Sequence, residues 1–283
     1  GDKMDGVIIV NKPAGMTSHD VVNRIRKIFK TKKVGHCGTL DPDATGVLVV
    51  AVNKATKLLQ FLTADNKEYI ATLSLGTATD TYDASGQVTA TKEYVPISDK
   101  KILACLNSFV GEQEQIPPMH SAIKVKGKKL YEYARNNETV EIPKRVITID
   151  YIELISIVDN LVKFKVGCSK GTYIRSLCFD IAKKLDYPGH MYSLIRSKSG
   201  DFSLSDSYSL EEIENGEFEM LSMEEALSNY PKLVVDDENI IYHGKKIKSK
   251  INHQVAIYNQ NNKVLAIYGP DGNGYLKNIR GLW

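Results

Sequence analysis

Gly35-His36-Cys37-Gly38-Thr39-Leu40-Asp41-Pro42-Asp43-Ala44-Thr45-Gly46 runs directly into Val47-Leu48-Val49-Val50-Ala51-Val52. The first stretch reads as a loop punctuated by glycine, the second as a buried strand. Glycines let backbone pass close to a ligand or adopt unusual dihedrals. Pro42 biases Asp41 toward an extended conformation. A carboxylate held this way, just ahead of a buried strand, suits a nucleophile or a base. An Asp-Pro turn between strands is more often structural, so both readings stay open on chemistry alone.

Upstream, Val7 to Val10 forms a short apolar strand, and Asn11-Lys12-Pro13-Ala14-Gly15 is a turn signal. Thr17-Ser18-His19-Asp20 has the form of a capping box. The apolar stripe Val21, Val22, Ile25, Ile28 and Phe29 predicts the helix that follows it. Downstream, Ala55 to Leu62 marks a short helix, and the alternation of Tyr69, Ala71, Leu73 and Leu75 predicts a strand. Thr77 to Gly86 reads as a polar loop, and Ser98 or Asp99 caps a helix carrying Ile102, Leu103 and Leu106. Asp159-Asn160 joins two strands, Tyr151 to Val158 and Leu161 to Gly167, as a hairpin. Ile174, Leu177, Cys178, Ile181, Ala182 and Leu185 define an amphipathic helix. Met191 to Arg196 is a further strand, and Ser209-x-x-Glu212 and Ser222-x-x-Glu225 are further capping boxes. After Pro231 the texture changes to short strands with Asn and Gly turns, which places a boundary near Tyr230. Hairpins mixed with helices predict an α+β fold, a mixed, mainly antiparallel sheet with flanking helices, followed by a small, mostly β C-terminal domain.

The chain has 283 residues, is 42% hydrophobic and 25% charged, and carries a net charge of +3. Those values exclude disorder, collagen and coiled coil. No apolar stretch approaches the roughly 20 residues of a membrane helix. No signal-peptide pattern opens the chain, so a cytoplasmic protein is expected. The charge is unevenly placed: Arg24, Arg26, Lys27, Lys30, Lys32 and Lys33 form one basic cluster, Met119 to Arg135 holds a second, and Lys245, Lys246, Lys248 and Lys250 a third. Any one cluster is commonly a solvated face; three in a nearly neutral chain favour a polyanionic partner. Cys37, Cys105, Cys168 and Cys178 lack zinc-site spacing and read as free thiols. There is no G-x-x-x-x-G-K-[ST], G-x-G-x-x-G, H-E-x-x-H or G-x-S-x-G, so nucleotide hydrolysis, dinucleotide redox chemistry and serine hydrolysis lose their usual signatures.

The catalytic-loop string from Gly35 to Gly46 closely resembles that of the bacterial tRNA pseudouridine synthase B family, the tRNA pseudouridine-55 synthases. Six more stretches resemble that family's motifs in order: Val10 to Ser18, Lys67-Glu68-Tyr69, Thr79 to Gly86, Gln115 to Ala122, Gly127 to Arg135, and Cys168 to Arg175. The resemblance runs from residue 6 to about 200. It implies a catalytic domain over 1–230 with a thumb-like insertion at about 121–145, and a short RNA-binding domain of the PUA type over 231–283.

The resemblance also implies an activity. A T-loop uridine of tRNA, flipped out of its stack, exchanges its N1–C1′ bond for C5–C1′. No cofactor and no metal are implied, no protein partner, and a monomer is expected. Asp41 matches the catalytic aspartate, attacking C1′ or C6 or assisting departure of the base. Arg175 matches the arginine that pairs with it, and Tyr69 the catalytic tyrosine that stacks on uracil and can shuttle a proton. Tyr173 and Leu194 match further lining of the base pocket, and His36 the residue entering the gap left by the base. Lys124 and Lys128 are the expected thumb contacts to phosphate, while Asp80 and Asp83 read as loop-fixing side chains. A tRNA-binding and refolding module of non-catalytic value is the alternative; a guide-RNA particle subunit shares the loop but is disfavoured by the opening motif and the short C-terminal domain.

Overall fold

Val21, Val22 and Ile25 are fully covered on the first helix, α1 (Ser18–Phe29), as its apolar stripe requires. Thr17 starts the helix: its hydroxyl accepts from the Asp20 N–H, and Asp20 accepts from the Thr17 N–H, both at 2.9 Å. Lys30 ends it in the left-handed region at φ 53°. The structure, a computed structural model, describes residues 4–119, 124–125, 127–138 and 140–283; side chains at 124 and 125 lie outside that description. The chain divides into two compact units: residues 1–42, 48–63 and 205–283 form the first, and 43–47 with 64–204 the second.

In the first unit, β1 (Gly6–Lys12) and β2 (Val34–Cys37) flank residues 48–52 of β3 (Thr45–Val52), whose first three residues belong to the second unit. The β2 strand pairs antiparallel from Val34 with Val52 to Cys37 with Val49. The first residues of the expected loop are therefore strand, because a partner strand takes their backbone hydrogen bonds; nothing in Gly35-His36-Cys37 itself alternates. Ile8, Val10, Val21, Ile25, Leu48, Val50 and Leu210 build this unit's core.

The second unit is a sheet with helices on it. Its elements are β4 (Asn66–Leu75), α2 (Asp99–Asn107), β5 (Gly111–Gln115), β6 (Arg145–Val158), β7 (Leu161–Ser169), α3 (Ile174–Lys184) and β8 (Gly189–Ser199). The strand order is β8-β4-β7-β6-β5, antiparallel throughout. Thr45 and Gly46 of β3 pair in parallel with Ile195 and Arg196 of β8, which makes the sheet mixed. The alternating residues Ala71, Leu73, Leu75, Val162, Phe164 and Val166 face Ile102, Leu106, Ile174, Leu177 and Ile181 of the two helices. Asp159, at φ 54°, turns the hairpin between β6 and β7.

Residues 232–281 form a separate five-stranded sheet. Its strands are β9 (Lys232–Val234), β10 (Ile247–Lys248), β11 (Val255–Tyr258), β12 (Val264–Pro270) and β13 (Tyr275–Gly281), in the order β9-β11-β12-β13-β10. Its core includes Ile241, Val255, Ile257, Leu265, Tyr268 and Leu276. Asp271 fixes the turn between β12 and β13, accepting from Lys246 Nζ at 2.8 Å and from the N–H groups of Asn273 and Tyr275 at 2.7 and 3.2 Å. The Lys246 hydrogen bond, with those backbone bonds, holds its carboxyl down at about 2. A depressed folded-state value stabilises above the unfolded one and loses that contribution as pH falls. The melting-temperature gap between the parent and Asp271→Asn should therefore be open above pH 3.8 and close as pH approaches 2. A gap constant across that window would rule out this carboxylate as its source.

Candidate active site

Asp41 is exposed, and its two neighbours are anchored. Buried Leu40 donates its N–H to Ser18 Oγ at 3.0 Å and accepts from that hydroxyl at 3.2 Å. The Pro42 carbonyl accepts from the Gly15 N–H and from Lys12 Nζ, both at 2.9 Å. Lys12 has 0% exposure. Its ammonium also donates to the carbonyls of Pro13 at 2.8 Å and Met16 at 2.6 Å. An ammonium has three protons, and burying it requires that they be used. The stretch Val10 to Ser18 thus clamps the Asp41 loop on both sides, with Gly15 turning at φ 84°. Sequence reading takes that stretch as a turn and a cap, and no local pattern announces a buried lysine there. His36 lies on β2 opposite Val50 and is half-buried.

The second unit holds Tyr69, Tyr173, Arg175 and Leu194. Tyr69 on β4 lies opposite Val166 and Arg196, and Leu194 on β8 lies opposite Ala71. Both pack against the core under α3, so the structure brings these two side chains to one sheet face. Tyr173 precedes α3, its backbone clamped by the buried Gln115 amide: the Tyr173 N–H donates to Gln115 Oε1 at 2.7 Å and its carbonyl accepts from Nε2 at 2.9 Å. The Arg145 guanidinium stands 5.7 Å from the Tyr173 ring centroid.

Arg175 lies in the first turn of α3, and its Nη1 donates to the Thr81 carbonyl at 3.3 Å. Asp83 and Asp80 organise that loop. Asp83 Oδ1 accepts from the hydroxyls of Thr81 and Ser85 at 2.6 Å each, and Asp80 Oδ1 accepts from the Gln87 N–H at 2.9 Å. Any Cβ at Gly86 would collide with Thr81 and Asp80.

Beside Tyr69, Glu68 is 6% exposed. It accepts from the Tyr151 hydroxyl, and at 2.7 Å from Ser197 Oγ, with Lys198 Nζ at 3.9 Å. Burial raises its carboxyl, but the bonds from Tyr151 and Ser197 and the Lys198 charge more than offset that and leave it below the usual range. Burial and then Glu68 push the Tyr151 hydroxyl up. The Tyr151 ring crosses Gly167, where a side chain would strike it. Tyr151, Glu68 and Ser197 thereby tie β6, β4 and β8 together across the glycine of β7. Arg196 is 1% exposed and donates Nε to the Val47 carbonyl at 2.9 Å. Gly46, at φ 111°, lies against its backbone with no room for a Cβ.

In the thumb region, residues 124–125 pair with 128–129, and a short helix follows over Leu130–Arg135. Lys128 Nζ contacts both carboxylate oxygens of Glu138 at 2.7 Å and lies 4.7 Å from the Tyr133 ring centroid. Lys129 and Arg135 stand 5.4 and 5.3 Å from the ring centroid of Tyr131. The Lys124 side chain, with His120, Ser121 and Ala122 of the expected motif, lies outside the described residues. In the first basic cluster, Arg24 pairs with Glu214 at 3.4 Å and Arg26 donates to the Lys32 and Val34 carbonyls. Lys27, Lys30, Lys32 and Lys33 are exposed, as are Lys245, Lys248 and Lys250 of the third cluster.

The four cysteines are free, and burial pushes the Cys168 thiol up to about 11 and Cys178 higher still. Among the described residues, no three His, Cys, Asp or Glu side chains form a metal-binding group, and no helix is long and apolar enough to cross a membrane.

Residues 26–174 match the model of the TruB family pseudouridylate synthase N-terminal domain. The chain is 45% identical to the tRNA pseudouridine synthase B of Bacillus cytotoxicus, over 98% of this chain and 97% of that one. It is 43% identical to the protein of the same name in Bacillus subtilis, over 94% and 93%. Among solved structures, it resembles a chain of a Cbf5-Nop10-Gar1 complex with a TM-score of 0.76 and 28% identity, covering 98% of this chain and 85% of that one. A family model spanning more than half the residues, together with relatives this similar over almost the whole length, shows that the chain belongs to the TruB family of pseudouridylate synthases.

Proposed function

We propose that this protein isomerises a T-loop uridine of tRNA, at position 55, to pseudouridine, acting as a single chain in the cytoplasm. The observation that carries the reading is the Asp41 loop: the backbone is held at Leu40 and at Pro42, while the carboxylate between them is exposed. A reacting group gains most when its support is rigid and its own atoms are accessible.

The target base cannot be reached within its stack, so it flips out. His36 fills the space it leaves. Tyr69 stacks on the uracil, and Tyr173 and Leu194 close around it. The Asp41 carboxylate attacks C1′ or C6, or assists departure of the base. The N1–C1′ bond breaks, the uracil turns, C5 bonds to C1′, and the C5 proton is lost while N1 gains one. Atoms and oxidation state balance without a co-reactant. Arg175 keeps the carboxylate ionised and aimed in a site that a bound base makes dry. The thumb lysines, Lys124 and Lys128, meet phosphates, and residues 231–283 add a small RNA-binding domain.

The direct test incubates the purified protein with unmodified tRNA and maps pseudouridine by mass-shifting derivatisation. One modified T-loop uridine is expected; tight binding with no pseudouridine in any tRNA would overturn the reading. Salt supplies a separate check on the thumb. Each single-strand phosphate contact contributes about 0.7 to the slope of log affinity against log salt. Replacing Lys124 and Lys128 together by Ala should flatten the slope by up to about 1.4. An unchanged slope places both side chains away from phosphate.

A further inference from the structure

Tyr82 sits at φ 66°, in the left-handed region that bulky residues seldom adopt. Such a conformation persists only where the surroundings over-determine it. Here the Tyr82 ring stacks on Phe179 with centroids 4.2 Å apart and planes 10° from parallel. Its carbonyl accepts from the Met191 N–H at 2.8 Å, and its N–H donates to the Thr79 carbonyl at 3.3 Å. The Thr79 hydroxyl closes the loop on the Asp83 carbonyl at 2.6 Å.

Phe179 lies four residues beyond Arg175 on α3, so the two share one helix face. Two consecutive loop residues therefore meet that face. Thr81 offers its carbonyl to the Arg175 guanidinium, and Tyr82 lays its ring on Phe179. The peptide unit joining them fixes the carbonyl direction to the ring position. A glycine or asparagine would adopt this backbone at less cost, but neither would register the loop against the helix.

We infer that Tyr82 is a positioning residue for Arg175, setting the guanidinium through its stack on Phe179. The inference rests on the reading of Arg175 as the partner of the catalytic carboxylate. Tyr82→Asn keeps the left-handed backbone accessible and removes the ring. Phe179→Leu keeps apolar bulk and removes the other half of the stack. Tyr82→Phe retains the stack. Each is compared with Arg175→Lys by single-turnover pseudouridine formation at saturating enzyme, by tRNA affinity, and by melting temperature.

Tyr82→Asn and Phe179→Leu should each slow the single-turnover rate by about tenfold or more with tRNA affinity within about twofold of the parent, as a misplaced reacting group does. Tyr82→Phe should restore the rate. The double variant should be no slower than the slower single one, because both remove one contact. If Arg175→Lys is slow while Tyr82→Asn and Phe179→Leu run at the parent rate, the positioning role falls and the reading of Arg175 stands. If Arg175→Lys runs at the parent rate, the reading of Arg175 falls and the inference with it. Melting temperatures that drop without a change in bound-state rate would reduce the stack to packing. Should Tyr82→Asn fail to fold, Phe179→Leu and Tyr82→Phe decide the matter alone.

Discussion

Asp41→Asn will fold, bind tRNA as the parent does, and form no detectable pseudouridine. The expected retention of fold follows from position: Asp41 is exposed, while the stabilising contacts belong to Leu40 and Pro42. Surface substitutions of this kind change stability by no more than about 0.5 kcal/mol. Asparagine preserves shape and most hydrogen bonding, so the loop keeps its path. What it lacks is the charge and the nucleophilic oxygen. Loss of a group that acts on the reacting bond costs on the order of 10⁴-fold or more, because the remaining residues only position the substrate. Pseudouridine is measured by derivatisation and binding by filter retention, on the same preparations. Substantial product from Asp41→Asn would remove Asp41 as the nucleophile. Loss of binding in step with loss of product would instead make the residue an RNA contact.

The elements legible in the sequence are those whose signal is local. The Thr17 to Asp20 box, the stripe of α1, the stripe of α3 and the Asp159-Asn160 turn each carry their own instruction, and each forms as read. The strand β5, Gly-Glu-Gln-Glu-Gln, carries none: its residues are mostly polar, and only pairing with Arg145 to Ile149 makes it a strand. The same pairing extends β6 six residues upstream of the expected start at Tyr151. The short strand β2 likewise exists because β3 offers a ladder to it. Of the candidate site residues, only Asp41 stands out by its setting. Tyr69 and Leu194 look like ordinary core positions, and their placement against the α3 core shows why periodicity alone would leave them there. Residues that hold others in place are the least visible. The Gln115 clamp on Tyr173, the Tyr151–Glu68–Ser197 tie and the Lys12 cage all join positions far apart in the chain.

The Lys12 cage gives the second large expected effect, and one of opposite kind. Lys12→Met keeps an unbranched chain of similar length and deletes the ammonium. The carbonyls of Pro13 and Met16 lose a charged donor, and the Pro42 carbonyl keeps only the Gly15 N–H of the two bonds described. These bonds are part-buried, so each acceptor left without its partner costs toward the low end of about 1–3 kcal/mol. Against this, methionine removes the penalty of burying a cation, so the net loss should be about 2–4 kcal/mol, a large part of a typical folding free energy of about 5–15 kcal/mol. For a chain of this size that lowers the melting temperature by roughly 5–15 °C. The Pro42 side of the Asp41 loop would also be held less firmly, and the single-turnover rate of the folded protein should fall more than its tRNA affinity. Asp41→Asn and Lys12→Met thus separate two functions of one loop: the first loses chemistry at constant stability, the second loses stability and, through the anchor, part of the chemistry. Calorimetry of both variants beside the parent, with single-turnover assays below the lower transition, decides it. A Lys12→Met protein with the parent's melting temperature and rate would show that the three carbonyls do not need the ammonium, and that the opening stretch holds Asp41 through Gly15 and Ser18 alone.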